Sequence, residues 1–152
     1  LQDPDDVADA PLPATAIAIV SCALIFVLAI WLVAIPADHL WRPGTILLLK
    51  TFAALLLTFT AGARLGLATS APASGGRTIT LSAVPVLVAW VAILLPEPWS
   101  FALLAAAFAA LGAWDSFAVH RSEAPAWFGR LRIRQTLAIV LALFIAIIAT
   151  AV

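Results

Sequence analysis

The chain has 152 residues, of which 64% are hydrophobic and 11% charged, and eight basic residues balance eight acidic ones. Soluble domains are nearer ~45–50% apolar and ~25% charged, so composition excludes an ordinary soluble domain, and the balanced charge gives no ground for binding nucleic acid. A helical span takes ~20 apolar residues, so five spans use ~100 and leave too few for a sizeable domain outside the membrane. A single cysteine, Cys22, lies in an apolar run, which excludes a disulfide framework or a thiol-rich metal site. There is no Met, and a chain opening on Leu1 and Gln2 reads as one that has lost upstream residues.

In chain order, residues 1–14 carry Asp3, Asp5, Asp6 and Asp9 with no apolar pattern, and read as a flexible acidic tail. The first apolar run is 15–35, closed by Pro36, and the second is 44–68, interrupted by Lys50 and Arg64. Residues 69–77 are rich in Ser, Gly and Pro and read as a loop. The third run is 78–95, with Pro85 expected to kink it. Pro96, Glu97 and Pro98 make a tight turn, Pro98 suiting the start of the next helix. The fourth run is 99–117, the longest polar connection is 119–131, and the fifth run is 133–152. Apolar runs of this length are helices, because lipid offers the backbone no hydrogen bonds. The expected fold is therefore all-α: a polytopic bundle of five transmembrane helices.

Five spans place Arg77, Arg121, Arg130, Arg132 and Arg134 on the side of the N-terminus, with Arg64 near it, while the other side has Arg42 and Lys50. The positive-inside rule then puts the N-terminus in the cytoplasm. Trp41, Trp99, Trp114 and Trp127 fall at span ends, as interfacial indoles do, whereas Trp31 and Trp90 lie deeper and are expected to pack against neighbours.

Topology also limits the chemistry. His39 and His120 follow spans one and four, on opposite sides of the membrane, and Asp38 and Asp115 are separated in the same way. Neither pair can share a metal or an acid–base step within one chain, because metal ligands lie only ~2 Å from the ion. There is no phosphate loop or nucleophile–histidine spacing. No catalytic residue, cofactor or metal site is expected, and the chain reads as non-enzymatic.

Helix packing and charge remain. Gly62 and Gly66 lie four apart on span two, and Ala102, Ala106 and Ala110 recur every four residues on span four; both are faces suited to close helix contact. Arg64 reads either as a fixed charge for an anionic lipid or partner, or as half of a structural ion pair with Asp115, which ends span four on the same side. The pair is the expectation adopted. Lys50 is expected to snorkel to its own end of the membrane. Span five, 133–152, shows no polar stripe. The connection before it holds Arg121, Trp127, Arg130, Arg132 and Arg134, a patch suited to anionic headgroups such as cardiolipin or to an acidic partner, or else a plain topological anchor.

Two segments together carry a family resemblance. Phe52, Ala53, Ala54, Thr58 and Phe59, followed by Gly62, Ala63, Arg64, Leu65 and Gly66, resemble the second-span signature of a bacterial and mitochondrial membrane family described only as a domain of unknown function, which includes the eukaryotic transmembrane protein 69. Ser82, Ala83, Val84 and Pro85 with Ala89 and Trp90 are similar to its third span, and Trp114, Asp115, Pro125, Ala126, Trp127, Phe128, Leu131 and Arg132 to its fourth-span end and following loop. Ala61 and Leu65 depart from that pattern, which has a glycine and an aromatic there. The resemblance implies a multi-span protein of an inner membrane and brings no reaction with it. The tryptophan-rich translocator family matches only in size and composition. The leading expectation is an accessory, stabilising or assembly subunit of a larger bioenergetic complex in a bacterial inner membrane, in contact with membrane lipids and other subunits. The alternative is a binder or carrier of a lipid, quinone or tetrapyrrole.

Overall fold

The computed structural model describes residues 12–70, 83–120 and 126–151, and the side chains of 13–66, 83–117 and 127–151. Among the described residues there are five helices and no strand: α1 (Leu12–Ala34), α2 (Arg42–Ser70), α3 (Val84–Leu94), α4 (Trp99–His120) and α5 (Ala126–Ala151). Four of them, over Pro13–Ala34, Arg42–Gly66, Trp99–Phe117 and Trp127–Ala151, are long and apolar enough to cross a membrane. The chain is an integral membrane protein by that criterion.

The third element differs from its expected length. Helix α3 has 11 residues, roughly 16 Å at 1.5 Å per residue against a ~30 Å hydrocarbon core; residues 78–82 of the expected span lie outside the described ones. Pro85 does not kink this helix. It stands in the first turn, where a residue without an N–H forfeits no intrahelical bond. At the other end Pro98 precedes α4, and its carbonyl accepts the N–H of Ala102 at 3.1 Å. Helix α5 begins earlier than expected, at Ala126, so Arg130 and Arg132 are helical residues rather than part of the connection.

The helices form a ring in chain order. Each packs on the next, α5 closes back onto α1, and α2 also touches α4 across the middle. Helices α2 and α5 make no close backbone approach among the described residues. The interior is filled by Ile25, Leu32, Leu49, Leu57, Phe101, Leu104, Phe108, Ile139 and Leu143, with Ala53, Ala89, Ala92, Ala105 and Ala142 buried among them.

Two helix faces are turned away from their expected partners. On α4 the buried residues are Ser100, Phe101, Leu104, Ala105, Phe108, Leu111, Gly112 and Asp115, whereas Ala106 and Ala110 are exposed and Ala102 is half-buried. A ring of helices encloses space that bulky side chains must fill to reach protein packing density, so the Phe and Leu stripe faces in and the alanine stripe faces out. Gly62 and Gly66 are exposed too, and a Cβ added at either meets nothing within 4 Å. Each lies two residues from Arg64, about 200° around the helix, and Arg64 is buried. The close approach in this bundle is at Gly112, where an added Cβ comes within 2.6 Å of Thr136 Oγ1 on α5. Trp31 and Trp90 do not pack inside; they are 56% and 63% exposed on the outer surface.

At the end of the bundle that carries the connection from α1 to α2, Arg42 ties two helix ends together. Its Nη1 donates to Ile35 O at 2.8 Å, and its Nη2 donates to Ala149 O near the end of α5. A cation suits these positions because the last carbonyls of a helix lack N–H partners and carry partial negative charge.

Candidate functional site

The opposite end holds a connected set of buried polar groups in an otherwise apolar interior. Arg64 of α2 donates from Nη1 to Asp115 Oδ1 at 2.5 Å. Arg132 of α5 donates from Nε to the other oxygen, Oδ2, at 2.7 Å. The chain continues along α5, where Arg132 Nη1 donates to Gln135 Oε1 at 2.9 Å. Gln135 Nε2 donates to Ser21 Oγ on α1 at 3.2 Å, and that hydroxyl donates to Ile17 O at 2.8 Å. Side chains from α1, α2, α4 and α5 thus meet around one carboxylate that is 1% exposed. Intramembrane charges are costly unless paired, and a carboxylate accepting two charge-assisted bonds from two other helices fixes the rotation of all three.

Aromatic rings cover the guanidiniums. The Arg64 guanidinium lies 5.0 Å from the Trp114 ring centroid, and that of Arg132 lies 6.0 Å from Phe128. The ring face is electron-rich, so each contact offsets part of the cost of removing the cation from water.

One donor is left over. Arg132 Nη2 is buried and has no hydrogen-bond acceptor among the described residues. Arg132 also lines a cavity of about 270 Å³ between α1, α2 and α5, whose walls include Ala14, Ala18, Phe59, Thr60, Trp127 and Gln135. The cavity lies where α2 and α5 make no close approach, and the charge cluster bridges the gap beside it. An unsatisfied buried cationic donor costs more than an ordinary unmade bond, so an acceptor that reaches Arg132 from the cavity it lines is favoured.

Several sequence expectations are placed differently. Arg132, expected on the surface patch, is 95% buried and serves as the third member of the cluster. Arg130 and Arg134 are exposed, Trp127 is half-buried at the cavity mouth, and Arg121 lies outside the described residues. Gln135 and Ser21 are not among the residues that the sequence marks, although Arg132 and Gln135 stand three apart and so share a helix face. That spacing was the available signal. It also corrects the picture of a fifth span with no polar stripe, since Arg132 and Gln135 both face inward near its start.

Lys50 does not snorkel freely into water. It is 7% exposed, donates to Leu95 O at 2.9 Å and pairs with Glu97 at 2.5 Å, latching α2 to the turn between α3 and α4. Burial pushes the Glu97 carboxyl up, but the hydrogen bond from Lys50, a backbone hydrogen bond and the Lys50 charge outweigh it and hold it below its ordinary value. A depressed carboxylate stabilises the fold above its unfolded-state pKa, and that contribution disappears as pH falls through the folded-state value. The expected outcome is that the unaltered chain unfolds at a higher temperature than Glu97→Gln at neutral pH, and that this gap closes as pH falls below about 4. Thermal melts of both chains in detergent at several pH values measure it, and a gap that persists at low pH contradicts the role assigned to Glu97.

The comparisons with known proteins can now be set beside this geometry. The family described as "Protein of unknown function (DUF3429)" matches residues 10–148, from before α1 to near the end of α5. The chain belongs to the DUF3429 family. No curated protein and no solved structure matches it. In this DUF3429 protein the family-matched region takes in the first four described helices, α5 as far as residue 148, and every member of the buried polar chain. No group of three or more His, Cys, Asp or Glu side chains suited to a metal ion occurs among the described residues.

Proposed function

We propose that this DUF3429 protein is a non-enzymatic membrane protein that retains an amphiphilic small molecule in the cavity beside Arg132. The observation that carries this reading is the buried Arg132 Nη2, left without an acceptor where Arg132 lines a largely apolar cavity. The described charged side chains in the interior serve as helix ties: Arg64 and Arg132 on Asp115, Lys50 on Glu97, and Arg42 on helix-end carbonyls. That use of charge supports binding rather than turnover. The setting we assign is a bacterial inner membrane with the N-terminus in the cytoplasm, on the ground of the arginine excess at that end; the order of motifs is the ground for kinship with transmembrane protein 69.

The chain purified in mild detergent and extracted with organic solvent is expected to release one class of amphiphile at about one molecule per chain. A folded, monodisperse chain that releases nothing overturns the reading. A second reading, an accessory or assembly subunit of a bioenergetic complex, is favoured by the outward-facing Gly62 and by the exposed Ala106 and Ala110, which admit the backbone of another helix. In native gels of solubilised membranes it predicts a larger assembly that Gly62→Leu breaks up, whereas migration as a free monomer counts against it.

A further inference from the structure

The cavity beside Arg132 does not stand alone. A second, wider groove of about 480 Å³ runs between α1 and α2, walled by Val20, Leu24, Phe52, Leu55 and Leu56. The two share Ile17 and Phe59, so they lie end to end along the α1/α2 seam. The wall of the pair runs from Ala14 to Leu24 on α1, and ten residues of helix cover about 15 Å. That is half of a ~30 Å hydrocarbon core, the depth of one leaflet.

The two ends of this path differ in chemistry. At the outer end are Trp127, an interfacial anchor by residue type, and Arg132, whose side chain leans toward the start of α5 as helical side chains do. The first turn of α5, which puts Trp127 and Phe128 on the cavity wall, adds the positive end of its dipole. At the inner end the groove walls are Val, Leu and Phe, with Ser21 as its polar member, and the Ser21 hydroxyl is already hydrogen-bonded to Ile17 O and Gln135.

We propose that the path is the site of an anionic phospholipid of the N-terminal-side leaflet, its phosphate oxygen accepting from Arg132 Nη2 and one acyl chain lying along the α1/α2 groove. This rests on the amphiphile-binding reading and specifies the ligand class. A neutral quinone does not neutralise a guanidinium whose carboxylate partner is already shared with Arg64, and a rigid tetrapyrrole does not follow a groove one leaflet long.

The test uses the full chain in nanodiscs of phosphatidylcholine doped with phosphatidylglycerol of the same acyl chains, released for native mass spectrometry. The expected result is retention of phosphatidylglycerol over phosphatidylcholine by several-fold, because both headgroups bring a phosphate but only choline adds a cation, which the arginine end of the path repels. Arg132→Lys removes the Nη2 donor, which serves the phosphate of either lipid, while keeping a cation for Asp115, and is expected to lower retention of both lipids several-fold. Val20→Trp fills the groove away from the charges and is expected to lower retention of both lipids, with the fold intact by circular dichroism. Equal retention of the two lipids by the unaltered chain overturns the anionic-lipid assignment while leaving amphiphile binding standing; retention of neither overturns both. Displacement by inorganic phosphate together with indifference to Val20→Trp overturns the acyl-chain half. Deleting residues 1–11, which contain four aspartates, is expected to change nothing; a several-fold rise in lipid retention identifies that segment as the occupant and overturns the proposal.

Discussion

Asp115→Asn is expected to destabilise the bundle by about 3–5 kcal/mol, the usual loss when one partner of a buried ion pair is removed. The side chain keeps its size, so no cavity opens; what changes is charge. Arg64 and Arg132 both donate to this carboxylate, at 2.5 Å and 2.7 Å, and Asp115 is 1% exposed. With an amide in its place, two guanidiniums face each other across a site that water does not reach. Asp115→Glu restores the charge but moves it by one methylene, and is expected to recover only part of the loss. Replacing all three residues together, Asp115→Leu with Arg64→Met and Arg132→Met, is expected to recover more than Asp115→Glu, because buried ion triads roughly balance against apolar residues of similar volume. Reversible unfolding in mixed micelles measures these differences. An Asp115→Asn chain as stable as the unaltered one would falsify the assignment of Asp115 as the tie among α2, α4 and α5.

The same cluster shows how far the sequence could be read. Helix positions were accessible because apolar runs this long have one conformation available in lipid. Arg64 and Asp115 could be brought together on paper, since both stand near same-side span ends and membrane charges seek partners. Helix rotation was harder. In water, hydrophobic periodicity marks the buried face, but in lipid the outer face is as apolar as the inner one. Apolarity therefore does not choose between the stripe of Ala102, Ala106 and Ala110, expected at a helix contact, and that of Phe101, Leu104 and Phe108, which is the buried one. Where a charge sits, however, rotation is readable: an inward Arg64 turns Gly62 and Gly66 outward by simple geometry. The last apolar run begins only at residue 133, beyond the start of α5 at Ala126, so apolarity alone leaves Arg132 in the polar connection. Once Arg132 is helical, its spacing to Gln135 and its side of the membrane point to Asp115. Lys50 escaped for another reason. Its partners, Leu95 O and Glu97, lie more than forty residues away on a turn, and nothing local in the chain announces that contact.

Gly112→Ala and Gly62→Ala, the same change on two helices, are expected to act in opposite directions. Away from contacts, replacing Gly by Ala in a helix gains up to ~1 kcal/mol by restricting the unfolded chain and favouring helix. A Cβ at Gly62 meets nothing within 4 Å, so Gly62→Ala is expected to be neutral or mildly stabilising in the isolated chain. A Cβ at Gly112 lies 2.6 Å from Thr136 Oγ1, 2.8 Å from Thr136 Cγ2 and 3.0 Å from Thr136 Cβ. Rotating the threonine moves the first two atoms but leaves its Cβ in place, so relief requires α4 and α5 to separate. These two helices carry Asp115 and Arg132, so separation also lengthens the ion pair between them. Overpacking of this kind costs about 1–3 kcal/mol, more than the helix propensity returns, and Gly112→Leu is expected to exceed that range. Thr136→Ala removes the two nearest atoms and retains the third, so the Gly112→Ala, Thr136→Ala double variant is expected to recover part of the loss, and the same rescue is expected to be absent in the Gly62→Ala background. A double-mutant cycle from unfolding midpoints in micelles reads the coupling. If Gly112→Ala proves harmless, or Gly62→Ala equally damaging, the register between α4 and α5 is wrong, and with it the position of Arg132 beside Asp115.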